Sequence, residues 1–312
     1  MVNRRPQLEG VLFLAIIVTG CGTATTSEPA VSRADSGPRV VVTTSYPLYL
    51  MTSKLAGDVV VVKYAVPNAQ TSRTWVPSSD DIQKLQAADV VLFNGAGYEP
   101  WAQKLSLPRS RTVDTSSGYR EKLLLVADSM THQHGPVGEQ SVRDIIPTVW
   151  LDPELAVAQL RRLEEQLLKL APDAADAISQ RATALRNSFD QLEQQLERLR
   201  TDSSGHEISV ATDETDFGYL TSRLDWKTQP IQWTEQNTLT DEFTDKVATA
   251  PPQLILIRPD CERDQMEVLQ ATGILCIIVD TCESTLPDVE HADSLIDRLS
   301  ANLDRLRTGL GL

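Results

Sequence analysis

The chain has few of the residues on which many protein functions depend. Only four of its 312 residues are histidine, and its formal net charge is −14. A nucleic-acid-binding surface needs a surplus of lysine and arginine, so we do not expect nucleic acid as a partner. No G-x-S-x-G, H-E-x-x-H or phosphate-binding glycine loop occurs, which argues against the enzymes that those motifs mark. We therefore expect a protein that is not an enzyme.

The chain also has no hydrophobic run long enough to span a bilayer. Its N-terminal apolar stretch, Val11–Val18, is preceded by Arg4 and Arg5 and followed by "TGC", which ends at Cys21. A charged start, a short apolar run and small residues before a cysteine resemble a bacterial lipoprotein signal, in which the cysteine becomes lipidated. An ordinary secretory signal is the alternative. We expect residues 1–21 to be the signal and the mature chain to be lipid-anchored in the cell envelope, on the extracytoplasmic side.

The rest of the chain divides by its composition and its apolar pattern. Residues 22–38 are rich in Ser, Thr, Ala and Pro without an apolar period, so we expect a flexible tether. Val-rich runs then alternate with helical patterns, which is typical of parallel sheets covered by helices on both faces. We predict an α/β fold with a first lobe at 39–171, a long linker helix at 172–201 and a second lobe at 205–312. The linker helix would be roughly 40 Å long, enough to cross from one lobe to the other.

A set of phrases resembles the solute-binding proteins of zinc and manganese ABC transporters. In order along the chain they are "VVTTSYPLY", "AGDVVVV", "ADVVLFNGAGYEPW", "VWLDPELA", "DFGYL" and "IIVDT". The resemblance covers nearly the whole mature chain. It implies two α/β lobes bridged by a rigid long helix, with a divalent metal, zinc or manganese, captured as cargo in the cleft between them. It also implies delivery of the cargo to a membrane permease. We expect a monomer, and the alternative is a non-transport interaction protein that kept the scaffold and lost metal binding.

The resemblance also implies where metal ligands belong. That family holds its metal with four side chains, two from each lobe, and the matching positions here are Arg73, Thr148, Glu214 and Asp280. The two acids keep a manganese-like pattern, since oxygen ligands suit harder ions. Thr148 offers a neutral oxygen at best, and the guanidinium of Arg73 has no lone pair for a metal. We expect Arg73 to meet Glu214 and Asp280 as a counter-ion, so that the usual metal site does not work and another solute is the alternative cargo.

Both acids also have simpler interpretations. Asp280 would cap the turn that follows it, and Glu214 would be a solvated loop acid. Because they occupy the third and fourth ligand positions of the family, we favour a shared location in the cleft.

Other side chains suggest other routes to a metal. His132 and His134 form an "HQH" patch where zinc-binding members of the family often carry a histidine-rich loop, although a solvated loop is the simpler account. Cys261 and Cys282 follow neighbouring strands, whose carboxyl ends face the cleft in a parallel sheet. An exported location favours a disulfide between them. The alternative is a soft-metal site in which both thiolates bind beside Asp280.

Two tryptophans flank the expected cleft from opposite lobes. We predict that Trp75 and Trp233 line it. Stacking on an organic ligand is one use for such residues, and structural packing is the commoner one.

Overall fold

The computed structural model describes most of the chain beyond the predicted tether. The described residues are 37–67, 70–126, 145–205, 207–212, 215–284 and 294–312. Within them, eight short strands form two four-stranded sheets. All the strand pairs in both sheets are parallel. The predicted α/β fold with two parallel sheets is confirmed.

The two sheets repeat one strand order. The first has the order β2-β1-β3-β4 and the second has the order β6-β5-β7-β8. The strands are β1 Val40–Thr43, β2 Val61–Tyr64, β3 Val90–Phe93, β4 Thr112–Asp114, β5 Ser209–Thr212, β6 Lys227–Pro230, β7 Leu254–Ile257 and β8 Leu275–Ile278. Since parallel strands share a direction, the loops that leave their carboxyl ends gather along one edge of each sheet.

Eight α-helices connect and cover these strands in the described part of the chain. They are α1 Tyr46–Ala56, α2 Ser79–Ala87, α3 Pro153–Leu170, α4 Ala175–Ser203, α5 Gly218–Arg223, α6 Asp241–Thr249, α7 Arg263–Ala271 and α8 Leu295–Leu310. Side chains cap two of these helices: Ser78 forms a capping box at α2, and Asp152 accepts hydrogen bonds from the first turn of α3. Ser294 caps the terminal helix, which begins at Leu295.

Each sheet has an apolar cluster on both faces, as near-continuous apolar strands predict. In β7, Leu254 and Leu256 contribute to a central core cluster, whereas Ile255 and Ile257 belong to a separate cluster on the opposite face. The same alternation occurs in the first sheet. The central cluster contains residues from both sheets together with one face of α4.

The helix α4 links the two halves of the fold. Its 29 residues give a length of about 43 Å. It packs on α1 and α3 from the first half and on α8 from the second. One apolar stripe of α4 is buried: Ile178, Leu185, Phe189, Leu192, Leu196 and Leu199. Residues 38–312 form one compact unit. Among the residues described, no helix is long and apolar enough to cross a membrane.

Candidate functional site

Segments that follow strands of both sheets contribute to a small group of charged and polar side chains, here called the junction. It consists of Arg73, Thr148, Asp216, Arg258 and Glu283. Arg73 comes from the loop after β2, and the three ionisable residues that contact it or its partners follow β5, β7 and β8. The parallel topology therefore brings together residues that are far apart in sequence.

A tight turn positions Arg73. The amide of Trp75 donates to the carbonyl of Thr71 at 2.9 Å, and the indole nitrogen of Trp101 donates to the carbonyl of Ser72 at 2.9 Å. The rings of Trp75 and Trp101 pack edge to face with their centroids 5.0 Å apart. These contacts fix the backbone on both sides of Arg73 against the first half of the fold, and its side chain extends toward the second half.

The Arg73 side chain pairs with two carboxylates of the second half. Its Nη2 atom hydrogen-bonds Oδ1 of Asp216, and its Nε atom lies 3.2 Å from Oε1 of Glu283. The side chain of Arg73 is 25% exposed, while those of Asp216 and Glu283 are 0% and 4% exposed. The guanidinium also lies over the ring of Tyr98, 5.8 Å from its centroid. A fixed positive charge thus sits between two buried acids.

Asp216 is held from three directions. It lies in the short 3-10 turn that follows β5, next to the fully buried Phe217. Thr148 Oγ1 donates to its backbone carbonyl at 2.6 Å. Arg258 Nη1 donates to its Oδ2 atom at 3.3 Å, while the Nε of Arg258 lies 3.1 Å from Oδ1 of Asp260. Two guanidinium groups therefore share the Asp216 carboxylate, one on each oxygen.

Glu283 owes its position to a sharp turn after β8. Cys282 adopts a positive φ of 60°, which redirects the chain so that the next side chain meets Arg73. Thr281 Oγ1 donates to Oε2 of Glu283 at 3.0 Å, and the carbonyl of Thr281 accepts from the indole nitrogen of Trp150 at 2.7 Å. The loop that carries Glu283 is therefore hydrogen-bonded to the turn that directly precedes α3.

The electrostatics of the junction reflect its burial. Burial raises the pKa of Glu283, an effect that Arg73 opposes and Asp216 reinforces. Burial acts to lower the pKa of Arg73, but Glu283 and Asp216 outweigh it and the net shift is upward. Within the described residues, Oε1 of Glu283, Nε of Arg73 and the hydroxyls of Tyr64 and Tyr98 are buried without a hydrogen-bond partner of good geometry. The contact of Arg73 with Glu283 is therefore mainly Coulombic.

Asp280 does not join the junction, which corrects the expectation that it faces Arg73. Arg298 of α8 binds it with two hydrogen bonds, from Nε to Oδ2 at 2.6 Å and from Nη2 to Oδ1 at 2.8 Å. The amide of Cys282 donates to Oδ1 at 2.8 Å, and Asn302 contacts the backbone of Asp280 through both of its amide atoms. Asp280 therefore turns toward the terminal helix, where Arg298 supplies the opposite charge.

The two tryptophans predicted to line the cleft pack elsewhere. Trp75 is 4% exposed and belongs to the cluster on the outer face of the first sheet, against Trp101. Trp233 packs on the outer cluster of the second sheet, and its backbone bridges to Leu239. Each tryptophan thus helps to cover the sheet face opposite the central core.

The structure does not join the sulfurs of Cys261 and Cys282. Cys282 is fully buried in the central cluster, and its Sγ atom contacts the carbonyl of Asp280 at 3.6 Å. Cys261 packs on the outer cluster of the second sheet, and its Sγ contacts the carbonyl of Glu262 at 3.7 Å. The two cysteines therefore contribute to opposite faces of one sheet, and the disulfide between them stays a prediction.

Several predicted residues lie outside the described part of the chain. They are Cys21, His132, His134 and Glu214. Their predicted roles stay predictions. Thr148 is described and completely buried, and its hydroxyl hydrogen donates to the backbone of Asp216.

A second buried carboxylate lies in the first half, beyond the junction. Glu99 accepts hydrogen bonds from Thr44 Oγ1 at 2.6 Å and from the amides of Asn94 at 2.8 Å and Gly95 at 3.1 Å. Burial raises its pKa to about 7, although these three donors favour the charged form. This carboxylate ties the end of β3 to the loop that follows β1.

The comparison with protein families covers almost all of the described fold. The family model "ZnuA: Zinc-uptake complex component A periplasmic" matches residues 41–309. The chain belongs to the ZnuA family. It is 26% identical over 222 residues to the high-affinity zinc uptake system protein ZnuA of Bacillus subtilis, covering 69% of this chain and 67% of that protein. The ZnuA family match includes both sheets and the junction.

Two further relatives extend this similarity. The manganese ABC transporter substrate-binding lipoprotein PsaA of Streptococcus pneumoniae is 22% identical over 311 residues, or 96% of each chain. The crystal structure of the metal-dependent lipoprotein YcdH from Bacillus subtilis has a TM-score of 0.72 at 20% identity, covering 87% of this chain and 99% of that one. The fold is therefore that of ZnuA-family lipoproteins.

The junction of this ZnuA-family chain does not fit a divalent metal. Across the residues that the structure describes, no group of three or more His, Cys, Asp or Glu side chains is arranged to hold a metal ion. Arg73 contacts both junction acids, and a guanidinium has no lone pair to offer. The positive charge that a metal would bring is already supplied by the protein.

Three residues of the junction are not among those predicted from the sequence. Asp216, Arg258 and Glu283 lie within two or three positions of the predicted ligands or at a strand end. The convergence of strand ends in a parallel sheet is the signal that points to them. Arg258 directly follows β7, and this rule identifies it without any family pattern.

Proposed function

We propose that this chain is the extracytoplasmic solute-binding lipoprotein of a metal-type ABC transporter. Membership of the ZnuA family over residues 41–309 carries the proposal. The named functions of two relatives, zinc uptake and manganese ABC transport, support a divalent metal as the cargo class. We propose a membrane permease as partner, lipid anchoring through Cys21 and a monomeric chain without enzymatic activity.

We further propose that Arg73 keeps a bare divalent ion out of the junction in the conformation described. Arg73 pairs with Asp216 and Glu283, so a cation that enters must displace the guanidinium from both carboxylates. Displacement breaks both ion pairs, and the entering cation has to lose part of its hydration shell. Cargo binding therefore requires either the departure of Arg73 or a solute held by other groups.

Metal analysis of the purified full chain tests this proposal. Elemental analysis would be followed by calorimetric titration with zinc, manganese, iron and cobalt on the wild type, Glu283→Gln and Asp280→Ala. Glu283→Gln removes a junction charge, whereas Asp280→Ala removes a buried acid that Arg298 already neutralises. We expect no stoichiometric bare metal ion on either the wild type or Glu283→Gln, which leaves a solute held by other groups as the cargo. Tight binding that only Glu283→Gln abolishes would contradict the exclusion by Arg73.

The transport role needs a separate measurement. We expect the full chain to co-purify with a permease encoded near it, with or without a chelator. A genomic neighbourhood without a permease and an ATPase, together with no co-purification, would contradict the transport role and leave an interaction protein.

A further inference from the structure

Two guanidinium groups contact a single carboxylate in the junction. A metal site does not need this arrangement. Arg73 hydrogen-bonds Oδ1 of Asp216, and Arg258 donates to Oδ2 at 3.3 Å. The Asp216 side chain is completely buried, whereas each guanidinium is 25% exposed, so solvent screens both contacts only in part. Each oxygen of the carboxylate thus faces its own positive charge.

Among the residues that the structure describes, the buried charges of the junction balance. The buried acids Asp216 and Glu283 carry two negative charges when ionised, and Arg73 and Arg258 carry two positive ones. Arg258 also contacts Asp260, but that side chain is 67% exposed and its charge is largely screened by solvent. If Arg73 alone were removed, Arg258 would still neutralise Asp216 and repel an incoming cation.

The two arginines differ in how the fold holds them. Arg73 lies in a loop that follows an edge strand, β2. Arg258 directly follows β7, a strand that pairs with β5 on one side and β8 on the other, and whose last residue, Ile257, is fully buried. A residue at the end of an interior strand has less freedom to move aside than one in a loop. Arg258 is therefore the more permanent of the two charges.

We propose that Arg258 is a second specificity-determining residue, which excludes divalent cations from the junction by holding and neutralising Asp216. It acts through Asp216, so it is a positioning residue for that carboxylate. The inference rests on the proposed function, because it concerns which cargo the junction accepts. It predicts that replacing Arg73 with a metal ligand is insufficient to create a metal site.

Gain of metal binding provides the test. Arg73→His adds an imidazole beside two carboxylates, which is the ligand chemistry of a zinc or cobalt site. Co²⁺ and Zn²⁺ affinities would be measured for the full chain as Arg73→His, as Arg73→His/Arg258→Gln and as Arg73→His/Arg258→Lys. We expect the Gln double variant to bind at least tenfold more tightly than Arg73→His alone. The Lys double variant, which keeps the charge, should resemble Arg73→His.

Three outcomes would overturn the proposal. Equal Co²⁺ affinity of Arg73→His and its Gln double variant would remove any role for Arg258. Equal gains in the Gln and Lys double variants would show that the charge of residue 258 is irrelevant. No binding by any of the variants would show that these charges do not decide exclusion.

Folding and transport are measured separately from metal affinity. Thermal unfolding and circular dichroism would accompany each titration, and Arg73→His/Arg258→Met replaces the Gln variant if that one does not fold. A loss of folding lowers metal affinity, so it cannot imitate the expected gain. If the wild type does not co-purify with a permease, the transport role is contradicted, but the comparison of metal affinities among the variants still holds.

Discussion

The Nε atom of Arg73 lies 3.2 Å from Oε1 of Glu283, so an arginine from the first half of the fold neutralises a buried acid from the second. The same guanidinium hydrogen-bonds Asp216. Both contacts connect residues that follow strands of different sheets. The two halves are thus held together at this edge by charge, in addition to the apolar packing of α4 and the central cluster.

Removal of Arg73 should destabilise the chain. Arg73→Ala leaves Glu283 buried without its cation, whereas Asp216 keeps Arg258. Breaking a buried pair from one side typically costs about 3–5 kcal/mol, and we expect about 2–4 kcal/mol because Arg73 is partly exposed and Arg258 remains. Urea unfolding at pH 7.5 measures this. Arg263→Ala, on the surface of α7, is the control and should change stability by less than about 0.5 kcal/mol. A similar loss for both variants would contradict the buried role of Arg73.

Glu99 should make the chain less stable as the pH rises. Its pKa is raised from 4.5 to about 7 in the folded state. Between these values the folded chain holds a proton that the unfolded chain has released, so the free energy of unfolding falls with rising pH. The full contribution is about 3 kcal/mol.

The variant Glu99→Gln isolates this contribution. Its side chain is neutral at every pH, although its amide cannot accept from both backbone donors. The free energy of unfolding of Glu99→Gln minus that of the wild type should therefore increase between pH 5 and pH 8, by about 2–3 kcal/mol. Chemical unfolding of both proteins across this range measures the difference. A difference that stays constant with pH would mean that Glu99 is ionised throughout.

The pair Asp280–Arg298 should behave as one unit. Both side chains are buried, and two hydrogen bonds join them. Either Asp280→Ala or Arg298→Met should lower the free energy of unfolding by about 3–5 kcal/mol, because each removes one partner of a buried ion pair. In a double-mutant cycle the second substitution should cost much less than the first. Additive losses in urea unfolding would show that the two side chains act independently.

Gly95 should not accept a side chain. Its φ of 77° favours glycine, and a Cβ atom would lie 2.0 Å from Oδ1 of Asp114. We expect Gly95→Ala to cost about 2–4 kcal/mol through backbone strain and displacement of Asp114. Thermal unfolding measures this against Gly118→Ala, where no atom lies within 4 Å of the added Cβ. Equal midpoints for the two variants would contradict the prediction.

Much of the fold is predictable because its signals are local. The Val-rich strands, the Asp152 cap and the apolar stripe of α4 each follow from a pattern within one element. The presence of Arg73 at a charged site between the two halves was also predictable, since its position and its chemistry come from one short loop.

The partners of Arg73 were harder to predict because they depend on turns and distant residues. Cys282 adopts a left-handed conformation that sends Glu283, rather than Asp280, toward Arg73. Asp280 instead accepts hydrogen bonds from Arg298, which lies 18 positions further along the chain. A shift of two or three residues after a strand changes which side chain faces the site, and no periodic pattern sets the conformation of such a turn.

The bond from Trp101 to the carbonyl of Ser72 gives the junction a further property. It ties the loop so that the guanidinium next in sequence is always near its acids, at an effective concentration set by the chain and not by the surroundings. A dissolved ion fills a site only in proportion to its supply. A tethered charge is present in scarcity and in excess alike, so a dissolved ion competes with it for the two acids at every concentration.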